Sequence, residues 1–331
     1  MGARPASSGK VAHAQAPALM TDASYSRPSP APLQMQTSLD RAIQCQGTGL
    51  HSGKPVLVHL VPAGPDTGIQ FQRLDVATSP AFRLTYDCII SSPLATVASS
   101  PLTPGLTVAT MEHLMAALHA CEVDNLLIQL DGPELPILDG GSRTFLSLIE
   151  AAGRSRLPVP RRTIEVLRPI HAKGQNGAYA SLLPGRPGEL ELSLTIDFPA
   201  PAIGKQSFQM VLSQHSFEHD IAPCRTFVNH QDITMLQAQG LALGGSLENA
   251  LVIQHDRILN PDGLRFDNEC VRHKMLDAIG DLYCAGFRLS GQFEGHKTGH
   301  ALNNQLLHTL FASSENWRFS DGSPPIIPSS G

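Results

Sequence analysis

The sequence predicts an α+β protein built from two related α/β domains. Its 331 residues favour two domains, since one domain usually contains about 100–200 residues. The composition, 42% hydrophobic and 16% charged, supplies enough apolar side chains for two cores. Two segments, EHLMAALHACEVDNLLIQL and RHKMLDAIGDLYCAGFRLSGQF, each predict a helix with a histidine near its start and then a strand. We therefore place one domain at residues 38–157 and another at 163–320.

The chain ends and the overall charge exclude several classes of protein. Residues 1–37, rich in Ala, Ser and Pro, predict a disordered leader, and residues 321–331 predict a flexible tail. No apolar run approaches the roughly 20 residues of a transmembrane helix. Six cysteines without a C-x-x-C pair indicate reduced thiols in a cytoplasmic protein. A net charge of −5 argues against nucleic-acid binding, and we expect a monomer.

Each half contains recognisable strands and helices. In the first, GTGLHSGKPVLVHLVPA predicts a turn carrying His51 and then a strand, TVATMEHLMAALHACEV a helix, and DNLLIQL a strand. AAGRSRLPVPRRT mixes Pro, Gly and Arg and predicts the linker between the halves. In the second, TIEVL, AYASLLP and ELELSLTIDF predict strands. A helix near 230–239 ended by Gly240, the strand NALVI, a helix, a strand in FRLSGQFEGH and a last helix follow.

The helix VRHKMLDAIGDL carries polar residues at a spacing of four. His273, Asp277 and Asp281 share one face, because residues i and i+4 are neighbours on a helix. An imidazole and a carboxylate suit Zn²⁺, which in catalytic sites usually takes three protein ligands. Four apolar residues would hold the helix in the core: Met275, Leu276, Ile279 and Leu282. From this segment alone a solvated polar stripe is the favoured alternative, because H-x-x-x-D often arises by chance.

MEHLMAALHA offers a third ligand. Glu112 and His113 are adjacent, so they point about 100° apart on a helix. One of them could bind the metal while the other faces the metal's water as a general base. Alternatively, Glu112 only complements the helix dipole and His113 is half-buried, and taken singly this alternative is favoured.

GHKTGHALNNQL places two histidines and a lysine between glycines. Lys297, together with Lys274, could meet a phosphate or carboxylate group. Asp281 lies one helical turn beyond Asp277 and could orient His300. The alternative is a turn with exposed histidines.

CRTFVNHQDITMLQAQGLALGG combines a threonine and a phenylalanine with an apolar helix. Thr226 and Phe227 precede a helix with Ile233, Met235 and Leu236. A helix of this kind more often packs in a core than lines a ligand channel.

Three of these segments together carry a family pattern. TMEHLMAAL…VDNLLIQLDGPELPILDGGS, FDNECVRHKMLDAIGDL and GHKTGHALNNQLL closely resemble the UDP-3-O-acyl-N-acetylglucosamine deacetylases, the zinc hydrolases of the committed step of lipid A synthesis. GTGLHSGKPV, CRTF and GLALGGS fit the same family in order. The resemblance covers roughly residues 38–317. It implies a β-sheet layered on helices in each domain, with the helical layers packed between the sheets and the site between the domains.

The resemblance also implies roles for individual residues. One catalytic Zn²⁺ per chain would be bound by His113, His273 and Asp277. Glu112 resembles the general base, and His300, held by Asp281, resembles the group that protonates the leaving amine. Thr226 resembles the residue that stabilises the oxyanion.

The substrate, a UDP-linked acylated glucosamine, would contact further residues. Phe227, Lys274 and Lys297 resemble substrate contacts, with the lysines near the diphosphate. His51 and Asp232 match positions that face the substrate. Five apolar residues after Phe227 are our candidates for the wall of an acyl passage: Ile233, Met235, Leu236, Leu241 and Leu243. A zinc amidase acting on another acylated amino sugar, and a binding protein with structural histidines, are the alternative functions.

Overall fold

The computed structural model describes residues 1–2, 34–92 and 94–324, and these residues contain six α-helices and twenty β-strands. The helices are α1 (Glu112–Ala120), α2 (Arg143–Ala152), α3 (Gln214–Asp220), α4 (His230–Ala238), α5 (Glu269–Tyr283) and α6 (His300–Phe311). The strands before residue 161 are β1 (Met35–Leu39), β2 (Ile43–Thr48), β3 (Pro55–Pro62), β4 (Ile69–Arg73), β5 (Phe82–Arg83), β6 (Ile89–Ile90), β7 (Val97–Ser99), β8 (Thr107–Ala109), β9 (Leu126–Leu130) and β10 (Arg154–Pro160). The later strands are β11 (Thr163–Val166), β12 (Ile170–Lys173), β13 (Tyr179–Leu183), β14 (Leu190–Asp197), β15 (Lys205–Val211), β16 (Phe227–Asn229), β17 (Leu251–Gln254), β18 (Arg257–Ile258), β19 (Arg288–His296) and β20 (Trp317–Phe319).

Two mixed sheets contain most of these strands. The first has the order β2-β3-β9-β4-β5. The second has the order β12-β13-β19-β11-β20, and β14 joins it through β19 and carries β15 at its edge. Mixed sheets together with the six helices of the described residues confirm the predicted α+β class.

The two sheets share a local arrangement. The strand that follows α1 is β9, which pairs antiparallel with β3 and parallel with β4. The strand that follows α5 is β19, which pairs antiparallel with β13 and parallel with β14. Helices α1 and α5 are thus each followed by a strand that has an antiparallel and a parallel neighbour, and β19 pairs in parallel with β11 as well. The division into two domains and the layering of the helices remain predictions.

Helices α1 and α5 pack directly against each other. A Cβ added at Gly280 of α5 would lie 2.1 Å from the carbonyl oxygen of Glu112 at the start of α1, so the backbones touch there. The apolar residues predicted to anchor α5 are all completely buried: Met275, Leu276, Ile279 and Leu282. This close contact brings the polar residues of both helices to one place.

Three predicted boundaries were wrong. The chain already pairs at Met35, inside the predicted leader, because β1 finds an antiparallel partner in β10. The same pairing turns most of the predicted linker into a strand. The helix predicted from Val108 begins only at Glu112, since Val108 lies in β8 and Thr110 has a φ of 57°. Residues 3–33 of the leader and 325–331 of the tail lie outside the described residues.

Each half also contributes a small three-stranded sheet. The first consists of β6, β7 and β8, and the second of β16, β17 and β18 beside α4. The second, together with α4, covers residues 227–258, and we call this segment the β16–β18 insert. All six cysteines are free, as expected, and no helix of the described residues is long and apolar enough to cross a membrane.

Candidate active site

The three residues predicted as metal ligands converge although they come from two helices. His113 lies on α1, and His273 and Asp277 lie one turn apart on α5. Oδ1 of Asp277 is 3.6 Å from Nε2 of His113 and 3.4 Å from Nε2 of His273. Ligands bound tetrahedrally at about 2.0–2.1 Å would be roughly 3.3 Å apart. The donor set therefore fits a tetrahedral ion such as Zn²⁺.

A backbone carbonyl orients the imidazole of His273, and a serine side chain holds the main chain of His113. Nδ1–H of His273 donates to the carbonyl oxygen of Cys224 at 3.1 Å, which leaves Nε2 as the free donor atom. Ser142 donates to the carbonyl oxygen of His113 at 2.7 Å and holds the first turn of α1. Burial lowers the pKa of His273 to about 4, so this imidazole is neutral and able to bind a metal at neutral pH.

Asp277 is a buried carboxylate held in its ionised form. Burial opposes ionisation, but the ammonium group of Lys274 at 2.6 Å and the imidazole of His273 keep the pKa of Asp277 well below its usual range. Lys274, predicted to contact the substrate, is therefore paired with the carboxylate while it also lines the cavity beside it.

Glu112 lies beside this ligand set as the first residue of α1. Its side chain is almost completely buried, and burial raises its pKa above the usual glutamate value. Oε2 accepts a hydrogen bond from the backbone N–H of Thr96 at 3.0 Å. Oε1 lies 4.0 Å from Nε2 of His300. A carboxylate in this environment accepts a proton more readily than an exposed glutamate does.

His300 begins α6 and points its two ring nitrogens in different directions. Nδ1 lies 3.0 Å from Oδ2 of Asp281, as predicted. Burial alone would lower the pKa of His300, but the Asp281 carboxylate outweighs it and raises the pKa to about 9. The imidazole is thus protonated at neutral pH, with Nε2–H facing Glu112 and Asp277 at 4.0 Å each.

Two further residues hold this pair, and sequence reasoning missed both. Asn303 donates to Oδ2 of Asp281 at 2.8 Å, and its position three residues after His300 on α6 was a readable helical signal. Thr96 donates from Oγ1 to Oδ1 of Asp281, with Oγ1 3.1 Å from Nδ1 of His300. No feature of the sequence around Thr96 indicated this contact.

Two adjoining cavities lie here, and one of them contains the cluster. The catalytic cavity, about 270 Å³, is lined by Glu112, the three candidate ligands, Lys274 and His300. The second, about 440 Å³, is lined mostly by apolar residues of the β16–β18 insert. Four residues line both cavities: Leu50, Leu94, Thr226 and Phe227. The two cavities therefore meet at Thr226 and Phe227, and the candidate metal ligands lie in the smaller one.

The apolar cavity accounts for part of the predicted passage. Ile233 and Leu236 line it, while Met235 and Leu243 are about half-exposed and lie outside its wall, as does Leu241. No residue of α4 is buried, so this helix does not pack into a core. The sequence-based preference for core packing was therefore wrong, because the helix stands beside the small sheet with both faces partly open.

Of the other predicted substrate contacts, Phe227 and His51 line a cavity, whereas Lys297 and Asp232 do not. The ring of Phe227 packs edge-on against His273, with centroids 6.2 Å apart. His51 lines the apolar cavity, and its ring nitrogens have no hydrogen-bond partner among the described residues. Lys297 pairs with Asp197 at 2.8 Å, and Asp232 accepts from Asn229. Neither Lys297 nor Asp232 is in the wall of either cavity.

Comparison with known proteins gives one consistent family. Residues 36–312 match the family described as UDP-3-O-acyl N-acetylglycosamine deacetylase. A UDP-3-O-acyl-N-acetylglucosamine deacetylase of Haemophilus influenzae is 42% identical over 86% of this chain and 92% of its own length. Proteins of the same name from Photobacterium profundum and Phenylobacterium zucineum are 40% and 43% identical, over 88% and 82% of this chain and 95% and 92% of their own lengths.

Proposed function

Because this chain belongs to the UDP-3-O-acyl N-acetylglycosamine deacetylase family, we propose that its two-helix cluster is the zinc site of that reaction. The enzyme hydrolyses the N-acetyl group of UDP-3-O-acyl-N-acetylglucosamine, a step of lipid A biosynthesis. The products are acetate and a free 2-amino group. The observation that carries the proposal is the convergence of His113, His273 and Asp277 next to Glu112 and His300.

The ligand set would hold one zinc ion. Bound there, zinc would polarise the acetyl carbonyl and lower the pKa of a water molecule toward ~7. The neutral His273 and the ionised Asp277 are already in the protonation states that binding requires.

Glu112 acts as the general base. Its raised pKa suits a carboxylate that must take a proton from the attacking water and keep it during the step. The oxyanion that forms on the acetyl carbonyl oxygen would accept a hydrogen bond from the hydroxyl of Thr226, which lies where the two cavities join. Backbone bonds fix Thr226, since its N–H donates to Gly140 and its carbonyl accepts from Leu251.

His300 acts as the general acid. Asp281 holds its Nδ1, so Nε2–H faces the cavity and can donate its proton to the departing amine. The apolar cavity takes the acyl chain, because its wall begins at the residues that also line the catalytic cavity. Lys274, which lines the catalytic cavity, favours the diphosphate.

The test replaces a single ligand. Asp277→Ala should reduce both bound zinc, measured by mass spectrometry, and deacetylation of the acylated substrate. Asp267→Ala is the matched control, because Asp267 is exposed just ahead of α5. Full zinc occupancy in Asp277→Ala, or equal losses in the control, would show that the cluster does not bind the metal. Glu112→Gln should retain zinc and lose about 10²–10⁴-fold in kcat.

A further inference from the structure

Thr96 lies at the centre of the catalytic cluster although it comes from a separate part of the chain. It is 3% exposed and immediately precedes β7. Val97 pairs with Ala109 in the small sheet, which brings the chain ahead of β7 beside the start of α1. The sheet therefore carries Thr96 to Glu112.

The backbone and the side chain of Thr96 contact different catalytic groups. Its N–H donates to Oε2 of Glu112 at 3.0 Å. Its hydroxyl donates to Oδ1 of Asp281 and lies 3.1 Å from Nδ1 of His300. One residue thus touches the proposed base, the proposed acid and the carboxylate that orients the acid.

The hydroxyl of Thr96 completes the support of Asp281. Asn303 donates to Oδ2 of this carboxylate at 2.8 Å, and Thr96 donates to Oδ1. With donors on both oxygens the carboxylate cannot rotate, so the ring of His300 is held at a fixed angle. Without Thr96 the carboxylate could turn about the remaining bond to Asn303, and His300 would turn with it.

We propose that Thr96 is a positioning residue that fixes the general base and the general acid relative to each other. The proposal rests on the roles assigned to Glu112 and His300 above. Thr96 does not contact the ligand set in the described structure, so its effect should fall on turnover and not on zinc binding.

The experiment compares Thr96→Val, which keeps the shape but loses the hydroxyl, with Thr96→Ser, which keeps the hydroxyl. Loss of an orienting partner typically costs about 10–100-fold, so Thr96→Val should lower kcat by that factor with zinc content unchanged. KM should stay within about twofold of the wild type, because substrate binding does not use this hydroxyl. Thr96→Ser should restore kcat to within about threefold.

A matched control separates positioning from general destabilisation. Thr85 is also buried, and its hydroxyl also donates to an aspartate, Asp87, away from the cluster. Thr85→Val should lower the melting temperature about as much as Thr96→Val does, but it should leave kcat unchanged. If Thr96→Val folds poorly, Thr96→Ala removes the same hydroxyl without an added methyl group and is measured in its place.

A double variant tests the coupling directly. In an Asp281→Ala background, Thr96→Val should cost less than about threefold further, since the carboxylate that it holds is gone. Wild-type kcat in Thr96→Val, a Thr96→Ser variant as slow as Thr96→Val, or equal losses in both backgrounds would overturn the proposal. If Glu112→Gln and His300→Ala keep full turnover, the proposed function itself fails. If these two variants lose turnover while Thr96→Val keeps it, only the role of Thr96 is rejected.

Discussion

Gly280→Ala should disable the enzyme by adding a single methyl group at the contact between α1 and α5. The new Cβ would lie 2.1 Å from the carbonyl oxygen of Glu112, whereas ordinary contacts begin at 3.4 Å. The two backbones must therefore separate by about 1.3 Å, the difference between these distances. This movement would carry Glu112 and His113 away from His273 and Asp277.

The structure sets the size of the expected effect. A displacement of about 1 Å at a catalytic group can cost roughly 100-fold in rate, so kcat/KM should fall by about that factor. Overpacking costs about 1–3 kcal/mol, and replacing glycine in a helix returns up to about 1 kcal/mol. The net loss of unfolding free energy should therefore be modest, and the variant should fold.

Three measurements on Gly280→Ala decide the matter: deacetylation kinetics, zinc content and thermal unfolding. Gly64→Ala is the matched control, because a Cβ at Gly64 meets no atom within 4 Å. Wild-type kcat/KM with full zinc content in Gly280→Ala would refute the reasoning, as would a loss of activity no greater than the loss of folded protein.

Three further predictions concern protons, the acyl chain and the metal. Activity needs protonated His300, whose pKa is about 9, so kcat/KM should fall above pH 9. Asp281→Asn should move this basic limb of the pH–rate profile to lower pH, because it removes the carboxylate charge that stabilises the protonated imidazole. Leu236→Arg should fold and bind zinc but raise KM for the acylated substrate by about tenfold or more, since each buried methylene of the acyl chain contributes ~0.8 kcal/mol. Met235→Arg is the control and should leave KM unchanged, because Met235 is exposed. Equal losses on a substrate without the acyl chain would show that Leu236 does not line an acyl passage. Zinc at 100 times its Kd should stabilise the apoprotein by ~2.7 kcal/mol in thermal unfolding, and an equal shift in Asp277→Ala would locate the metal elsewhere.

The sequence by itself determined the features that depend on helical spacing. His273, Asp277 and Asp281 had to share a face of α5 because the rise and twist of a helix are the same everywhere. The apolar residues between them had to be buried, and they are. Asn303 could have been found in the same way. The family pattern added His113 and Glu112, which local spacing alone left open between metal binding and a helix-terminal role.

The tertiary structure alone decided which distant segments meet. Strand pairing joins residues far apart in the chain, so no local pattern could reveal that β1 and β10 pair across the predicted leader and linker. The carbonyl of Cys224 orients His273 through a backbone atom that every residue type possesses. Thr96 reaches Asp281, 185 residues further along the chain, because the small sheet and the contact between α1 and α5 carry both to one point.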